Sequence, residues 1–436
     1  MKKVLITLLA GIVLVAGFDT PVWASRIDVD VVGGAALFPI AIVPFKNLDG
    51  KPETANTSRS VEDTVSQDLA FSGLFKVLDP AGFLEDPAAI GGTSDKINFA
   101  SWTAIGAQGL LTGTCRNQGK QIIFEVRLFD VQMGQFLVGR RYVGELATIR
   151  QIGHRISNLV YAALTGEEGI FETKIIYVAD ESSQKELYCM DYDGYNSKRF
   201  SFHGSMALSP EWSPDGSSIA FTSYKTGRGQ LYVKDYITRQ EKLVSQYPDL
   251  NISACWSPDG QEIALTLSKD GNPEIYLINL EGKVVRRLTM NPGIDVSPAF
   301  SPDGQKIAFV SNRAGNPQVF VMNRDGGDVK RITFEGNYNA DPDWSPRGDR
   351  IVYSSRRKGS FQICSIMPDG SQDIQLTWEG DNECPKWSPN GRHITFMSTR
   401  SGGKQILSML ANGTMVRHLT NSGINYGPDW SPQLAH

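Results

Sequence analysis

Three acidic residues, Asp295, Asp341 and Glu383, each stand a few positions before a copy of the same short aromatic-Ser-Pro motif. Carboxylate oxygens are ligands that Ca²⁺ prefers, so convergence of these side chains would suit a calcium site. No single loop, however, supplies the series of oxygen ligands that a calcium-binding loop provides. We therefore predict that no metal is bound and keep a calcium site as the alternative.

The five histidines are the other candidates for chemistry, and no catalytic motif surrounds them. His154 lies in a helical pattern and His393 in a strand pattern, which favours structural roles for both. His203 lies in a loop and is the one candidate binding residue. The sequence contains no G-x-S-x-G, P-loop, H-E-x-x-H or dinucleotide-binding motif. We therefore predict a protein that is not an enzyme and has no cofactor.

The elements that must position these residues belong to an exported chain. The start of the sequence carries Lys2 and Lys3, an apolar run and a Val-Trp-Ala exit, which together predict a signal peptide ending at Ala24. The apolar run is shorter than the roughly 20 residues that a membrane-spanning helix requires. We expect removal of this segment rather than a membrane anchor, and a mature chain that does not insert stably into a membrane.

The charge balance and the cysteines exclude further classes of protein. The formal net charge is -4 at pH 7, whereas nucleic-acid-binding proteins usually present a basic surface, so we expect no nucleic-acid partner. The five cysteines are odd in number and lack C-x-x-C spacing, so the sequence predicts neither a zinc site nor a disulfide framework. Oxidation of one pair after export stays open.

The second half of the chain is built from an internal repeat. A motif of one aromatic residue followed by Ser-Pro recurs at steps of 44, 44, 44, 43 and 43 residues, and its aromatic residues are Trp212, Trp256, Phe300, Trp344, Trp387 and Trp430. Each period contains four short apolar or alternating runs separated by turns of Pro, Asp and Gly. Four strands in about 40 to 45 residues are typical of a β-propeller blade rather than of a β-helix or an Ig-like array.

The strand count predicts six blades and the way in which the ring closes. The second strand of each period is expected to begin near Lys174, Ser218, Glu262, Lys306, Arg350 and Arg392. The first of these strands has no innermost strand before it, and the last innermost strand has no successor. We predict that residues 428–431 complete the first blade, which closes the ring and removes both free sheet edges.

The loops of such a ring divide onto two faces. The Ser-Pro-Asp-Gly turns are short and nearly uniform, which indicates a role in folding. The longer loops that enter the innermost strands differ between blades and lie at the mouth of the central channel, where variable loops on a rigid scaffold usually bind. Inside a rim of Lys and Arg, they combine the three acids with Met206, Leu250, Ile252, Tyr338 and Tyr426. This combination suits a protein partner.

The first part of the mature chain predicts a compact α/β domain. Strands are expected at 27–31, 40–45 and 74–79, and helices at 57–73 and around 99–107, followed by a hairpin and an amphipathic helix that ends at Gly166. The fold class is therefore an α/β N-terminal domain followed by an all-β six-bladed β-propeller closed by the C-terminal strand. We predict a signal peptide at 1–24, the α/β domain at 25–168 and the propeller at 169–436.

Several strings in the sequence carry a family resemblance. They are FPIAIVPF at the start of the α/β domain, the junction LTGEEGIFETKIIYV, the string YDGYNSKR, and six blades that end in PDWSP. In these features the chain resembles the TolB family, periplasmic translocation proteins of Gram-negative bacteria. The resemblance implies a non-enzymatic, periplasmic part of the Tol-Pal system, which supports envelope integrity and constriction during cell division. The alternatives are a propeller-bearing periplasmic hydrolase or lyase and a metal-dependent lectin.

The resemblance also implies two binding sites. TolB proteins contact TolA through a flexible segment at the start of the mature chain, or fold that segment back onto the protein. Here the segment is 25–34, with the candidates Arg26, Ile27, Asp28, Val29, Asp30 and Val31. They bind the lipoprotein Pal at the channel mouth, where the candidates are His203, Met206, Leu250, Asn251, Ile252, Asp295, Val296, Tyr338, Asn339, Asp341, Glu383 and Tyr426. Other outer-membrane or peptidoglycan-associated proteins are further expected partners, and we expect a monomer.

Overall fold

The computed structural model describes residues 36–86, 90, 96–181 and 184–434. The predicted signal peptide (1–24) and the predicted TolA-contacting segment (25–34) lie outside the described residues. None of the described helices combines the length and the apolar character needed to cross a membrane.

The N-terminal domain is a mixed β-sheet with helices on both faces. Its strands are β1 (Phe38–Ile42), β2 (Lys46–Asn47), β3 (Phe75–Val77), β4 (Gly109–Gln118), β5 (Gln121–Asp130) and β6 (Gln135–Glu145). Its helices are α1 (Pro52–Phe71), α2 (Phe99–Ala104) and α3 (Ile149–Thr165), with 3₁₀ turns at Pro80–Gly82 and Leu146–Thr148. The sheet order is β3-β1-β4-β5-β6, with β2 paired to β4.

The sequence explains most of this domain locally. Helix α1 begins with Pro52 in its first turn, where a missing N–H costs nothing, and α3 ends at Gly166, whose φ is 74°. The expected helices and the β5–β6 hairpin are confirmed. Strand β4 was not predicted, because its first four residues are all buried and give no alternation. A central strand covered on both faces lacks the period-two signal.

The propeller strands follow the predicted spacing. In chain order they are β7 (Lys174–Glu181), β8 (Gln184–Asp191), β9 (Lys198–Arg199), β10 (Ala207–Trp212), β11 (Ser218–Ser223), β12 (Gln230–Asp235), β13 (Glu241–Ser245), β14 (Asn251–Trp256), β15 (Glu262–Leu267), β16 (Glu274–Asn279), β17 (Val284–Arg287), β18 (Asp295–Phe300), β19 (Lys306–Ser311), β20 (Gln318–Asn323), β21 (Lys330–Arg331), β22 (Asn339–Trp344), β23 (Ile351–Arg357), β24 (Ser360–Ile366), β25 (Ile374–Gln375), β26 (Asn382–Trp387), β27 (His393–Ser398), β28 (Gln405–Leu410), β29 (Arg417–His418) and β30 (Ile424–Trp430).

These strands form six four-stranded sheets, which are the blades. Blade 1 has the order β30-β7-β8-β9, and blades 2 to 6 are the consecutive sets from β10 to β29. The last strand therefore pairs with the first strand of the propeller, with Trp430 opposite Ile175. The predicted six-bladed fold and its closure by the C-terminal strand are both confirmed.

The innermost strands begin earlier than the sequence suggested. In blade 4 the run of apolar residues in the sequence predicts an innermost strand over 298–301, whereas β18 begins at Asp295. Each innermost strand contains a register shift in its pairing with the second strand. The shift surrounds a residue with positive φ, and these six are Ser209, Ser253, Ser297, Asp341, Cys384 and Gly427. A β-bulge accommodates the proline that follows in most blades, which reads as a strand break in the sequence.

The N-terminal domain contacts the face of the propeller that carries the uniform turns. The Arg392 Nε donates to Glu167 Oε2 at 2.8 Å, and Arg347 donates to the same carboxylate at 3.1 Å. The buried His393 ring stacks on Phe71, with centroids 4.8 Å apart, and its Nε2 donates to the Phe71 carbonyl at 3.1 Å. Because that face is partly covered by the first domain, its opposite face is the more open one.

A buried polar network also joins the two domains. Asp68 of α1 accepts from the Tyr192 hydroxyl at 2.5 Å and lies 2.8 Å from His154 Nδ1 in α3. All three side chains are buried. The structural role expected for His154 and His393 is therefore what their contacts indicate.

Candidate functional site

The innermost strands of the six blades place equivalent residues in rings around the channel. The ring closest to the variable loops, which we call the mouth ring, consists of Leu208, Ile252, Val296, Ala340, Glu383 and Tyr426. Each precedes a bulge residue and each is half-buried. Four of the six are aliphatic, and Tyr426 lies between Lys185 and Lys404, whose amines are 5.4 and 5.9 Å from its ring. The mouth ring is thus an apolar arc with one acid and one aromatic residue.

The bulge residues form a second ring below the mouth ring. They line a cavity of about 120 Å³ together with the prolines that follow them. Their side chains are three hydroxyls, one carboxylate and one thiol, and Gly427 adds none. The Asp341 carboxylate accepts from the Ser354 hydroxyl at 3.1 Å, and the Cys384 Sγ lies 3.8 Å from it. Burial raises the pKa of Asp341, so this level of the channel disfavours an unpaired negative charge.

A third ring, which we call the charge ring, lies one residue before the aromatic of each motif. Its charged members are Glu211, Asp343, Lys386 and Asp429, and Cys255 and Ala299 complete it. The Lys386 Nζ lies 2.6 Å from Glu211 Oε2 and 3.5 Å from both Asp343 Oδ1 and Asp429 Oδ1. These carboxylates come from three other blades, so one amine joins four blades electrostatically.

Burial dominates the protonation of the charge ring. It raises the pKa of Asp343 to about 6 and raises that of Asp429 further, against the attraction of Lys386. Burial also disfavours the charge on Lys386, but the carboxylates of Glu211, Asp429 and Asp343 outweigh it and hold the amine pKa well above its usual value. Asp343 and Asp429 additionally accept from the backbone N–H of Trp387 and Trp212, at 2.8 and 2.6 Å. The ring therefore fastens neighbouring blades.

The three acids considered for calcium do not form a site. Asp295 is fully buried and bonds Arg313 at 2.8 Å. Asp341, one blade further along the chain, bonds Ser354 of its own blade. Throughout the part of the chain that the structure describes, no three His, Cys, Asp or Glu residues are close enough together to hold a metal ion. The calcium alternative therefore has no structural support. All five cysteines are free thiols, so the disulfide left open by the sequence does not form here.

Two of the predicted site residues belong to a repeated buried network instead of a surface. The Asn339 Nδ2 donates to Gln318 Oε1 at 2.8 Å, and the Thr333 hydroxyl donates to the same oxygen at 2.8 Å. The same Gln-Thr-Asn arrangement recurs at the next two blade junctions. Asn251 is likewise fully buried and bonds Ser245 at 2.6 Å. These amides hold the start of the innermost strands, which positions the mouth ring.

One junction carries two acids where four of the others carry a pair of amides. Glu274 and Asp295 occupy the positions of Gln318 and Asn339, and both are fully buried. The Glu274 Oε2 and the Asp295 Oδ1 have no hydrogen-bond partner. Burial raises the pKa of Asp295 against the attraction of Arg313. This junction is therefore less well satisfied than its counterparts.

The remaining predicted residues divide into exposed and enclosed ones. Met206 and Tyr338 are exposed at 37% and 42%, and the Tyr338 ring meets Phe361 edge to face at 5.6 Å. Leu250 is half-buried beside Ile252. His203 is held within blade 2, because its ring nitrogens contact Ser223 at 2.6 Å and Glu241 at 2.9 Å. The sequence predicts His203 at the channel mouth, but these contacts hold its side chain in the blade.

Four residues of the predicted basic rim are neutralised by neighbouring acids. Lys225 pairs with Glu241, Lys269 with Asp270, Arg313 with Asp295, and Arg357 with Asp373. The hydrogen bonds of Glu241 to His203 and Lys225 lower its pKa to about 2 despite burial. Arg26, Ile27, Asp28, Val29, Asp30 and Val31, the predicted TolA contacts, lie outside the described residues.

The charge ring and the Gln-Thr-Asn network were missed by sequence reasoning. Glu211 and Lys386 are 175 positions apart, so no local pattern joins them. A signal was nevertheless available, because the residue before each aromatic of the repeat varies between acid, Lys, Cys and Ala. The recurring Gln at the start of the third strand and Thr after the fourth would have indicated the network.

Comparisons with known proteins agree with this architecture over both domains. The family model described as the TolB beta propeller domain matches residues 161–434, and the one described as the TolB amino-terminal domain matches residues 25–137. The crystal structure of TolB from Acinetobacter baumannii is 30% identical to this chain and superimposes with a TM-score of 0.80. That match covers 91% of this chain and 97% of the other.

Curated relatives carry the same family name. The Tol-Pal system protein TolB of Syntrophotalea carbinolica is 41% identical over 43% of this chain and 43% of its own length. The protein of the same name from Desulfosudis oleivorans is 40% identical, again over 43% of each chain. The matched segments thus span less than half of the length of these relatives. The propeller model alone covers more than half of the chain, and the chain therefore belongs to the TolB family.

Proposed function

We propose that the protein is a periplasmic, non-catalytic component of the Tol-Pal system that works by binding other proteins. In this role it supports the integrity of the envelope and its constriction during cell division. The names of its curated relatives place those proteins in the Tol-Pal system. In this proposal residues 1–24 are removed on export, which leaves an α/β domain at 25–168 and a propeller at 169–436.

We assign binding of the lipoprotein Pal to the channel mouth. The observation that carries this assignment is the mouth ring, in which six half-buried and mostly apolar side chains occupy equivalent positions on the six innermost strands. An apolar centre surrounded by polar side chains is the usual composition of a protein-binding surface. The variable loops supply that polar surround, whereas the uniform turns on the other face contact the N-terminal domain.

The predicted Pal-binding residues have two different roles in this proposal, depending on whether their side chains are accessible or buried. Side chains that are exposed or half-buried contact Pal, and these are Met206, Leu250, Ile252, Val296, Tyr338, Asp341, Glu383 and Tyr426. Asn251, Asp295 and Asn339 are fully buried, and His203 is enclosed by hydrogen bonds. These four support the loops rather than touch the partner, and substituting them is expected to weaken Pal binding through the fold.

The test is calorimetric titration of the mature protein with Pal from the same organism. Ile252→Lys places a charge in the apolar arc and is expected to weaken binding at least tenfold. Tyr338→Ala removes an exposed aromatic side chain, a residue type enriched among binding hot spots, and is expected to weaken it several-fold. Neither variant should change the melting temperature appreciably.

A matched control is available in the same blade as Ile252. Val285 lies on the outermost strand and is 53% exposed, so Val285→Lys adds the same charge away from the mouth and should bind Pal normally. Lack of any Pal binding by the unmodified protein would contradict the proposal. If Val285→Lys and Ile252→Lys weakened Pal binding equally, the channel mouth would not be the binding site.

We further propose that TolA binds through residues 26–31. Ile27, Val29 and Val31 alternate with charged residues there, which suits addition of a strand to the edge of a partner's sheet. Deleting residues 26–31 should abolish TolA binding and leave Pal affinity within twofold of the unmodified protein. Retained TolA binding would place that contact elsewhere.

A further inference from the structure

The sheet of the N-terminal domain ends in a long strand with a free edge. Strand β6 pairs with β5 along its whole length, from Gln121 opposite Glu145 to Asp130 opposite Gln135. On its other side it has no strand partner within the described ranges. Alternate N–H and C=O groups of β6 therefore point away from the sheet and are open to hydrogen bonds from a further strand.

This edge carries few of the devices that usually protect sheet edges. Proteins commonly block an edge with short strands, charged side chains, proline or bulges, and of these the strand has one bulge and two arginines. Strand β6 is 11 residues long and contains no proline, and Tyr142 is its one buried residue. The single register shift lies opposite Leu128 and Phe129, so residues 138–145 are paired without interruption. The edge is therefore regular over most of its length.

Two arginines mark the centre of the edge. Arg140 and Arg141 are exposed, and Arg141 makes one surface ion pair, 3.9 Å from Glu125, with 54% of its side chain accessible. Such an exposed pair stabilises little. Antiparallel pairing of two copies of β6 about its centre sets Arg140 against Arg140, and like charges opposite each other destabilise a sheet. An acidic strand would meet both guanidinium groups favourably.

Apolar side chains stand on either side of the arginines. Phe136 and Val143 are exposed at 55% and 48%, although large apolar residues in strands are usually covered. We propose that the free edge of β6 binds an extended segment of another protein, acidic at its centre and apolar on both sides, as an added β-strand. The site lies in the first domain, apart from the channel mouth. Its test therefore does not depend on whether Pal binds at the mouth.

The probe is a synthetic peptide, acetyl-Gly-Val-Val-Asp-Glu-Val-Val-Gly-amide, added to the mature protein. Neighbouring residues of a strand point to opposite faces, so its two acids can meet Arg140 and Arg141 together. Binding is followed by fluorescence anisotropy, and amide hydrogen exchange is measured by mass spectrometry. We expect slower exchange in 135–145 and unchanged exchange in 109–118. The same peptide with Lys-Lys at its centre should not bind.

Charge reversal and backbone methylation separate strand addition from general attraction. The double substitution Arg140→Glu with Arg141→Glu should weaken the acidic peptide at least tenfold and admit the Lys-Lys peptide. The control Arg116→Glu with Lys120→Glu makes the same change of charge near the β4–β5 turn and should bind as the unmodified protein does. Alternate amides of an added strand point toward β6 and away from it. N-methylation of the set that points toward β6 should abolish binding, and N-methylation of the other set should preserve it.

Three results would overturn the proposal. Absence of binding is the first, and binding without slower exchange in 135–145 is the second. The third is a dimer in sedimentation velocity with 135–145 protected before any peptide is added, which would identify the occupant as a second copy of the chain. Equal binding by both N-methylated peptides would also contradict strand addition, as the second result would.

Discussion

Replacing Lys386 by Met tests whether the charge ring holds the propeller together. Methionine keeps the length of the apolar stem and removes the amine that lies within 3.5 Å of Glu211, Asp343 and Asp429. Removing one partner of a buried ion pair costs about 3 to 5 kcal/mol, because the remaining charge is left uncompensated. Three carboxylates lose their counterion here, so we expect the upper part of that range at pH 8.

The pH dependence of this loss follows from the carboxyl pKa values. Burial already raises the pKa of Asp343 to about 6 and raises that of Asp429. A carboxyl group whose pKa is higher in the folded than in the unfolded state favours folding at low pH and loses that contribution as the pH rises. Without the amine both pKa values rise further. The variant should therefore approach the stability of the unmodified protein as the pH falls from 8 to 5.

The assay is urea denaturation followed by tryptophan fluorescence at pH 5 and pH 8. The midpoint and the slope are both compared, since a two-domain chain need not unfold in one step. Lys283→Met is the control, because Lys283 is exposed on an outer turn and should cost less than about 0.5 kcal/mol. A loss below about 1 kcal/mol at pH 8, or a loss that grows toward pH 5, would refute the reasoning.

Further predictions concern the domain contact, one blade junction and the core. Burial lowers the pKa of His393 to about 4 from 6.5, so its contribution is complete above pH 6.5 and about 3 kcal/mol is lost as the pH falls through 4. His393→Gln keeps an N–H donor for the Phe71 carbonyl and should flatten the melting temperature between pH 7 and 4. Glu274→Gln with Asp295→Asn supplies the amide pair found at other junctions. Because the raised pKa of Asp295 costs stability as the pH rises, this variant should gain about 1 kcal/mol in urea denaturation at pH 8 and nothing at pH 4. Trp344→Ala empties an inter-blade core position and should cost about 3 to 5 kcal/mol by the same assay.

The propeller was largely predictable because its signals are local. The motif around Trp344 recurs at a fixed step, and Pro, Asp and Gly mark each turn, so the blade number and the closing strand followed from counting. The starts of the innermost strands could not be predicted from these local signals. Ser297 adopts a φ of 53° before Pro298, and a bulge of this kind reads in the sequence as the end of a loop.

The site was predicted at the level of its face and missed at the level of its contacts. Ile252 and Val296 were placed near the mouth from the position of the variable loops. Asn339 was expected at the surface, but its bond to Gln318 buries it. That bond joins two blades, and so does the contact of Lys386 with Glu211. Interactions across a ring depend on its closure, which a single-sequence pattern cannot represent.

The central claim is that Pal binds at the channel mouth, and amide hydrogen exchange of the mature protein with and without Pal tests it most directly. We predict slower exchange at 250–252, 294–296, 338–341 and 424–426 when Pal is present. The Ser-Pro-Asp-Gly turns at 301–304 and 257–260 should exchange at the same rate in both samples. Slower exchange at those turns, with no change at the mouth, would contradict the account.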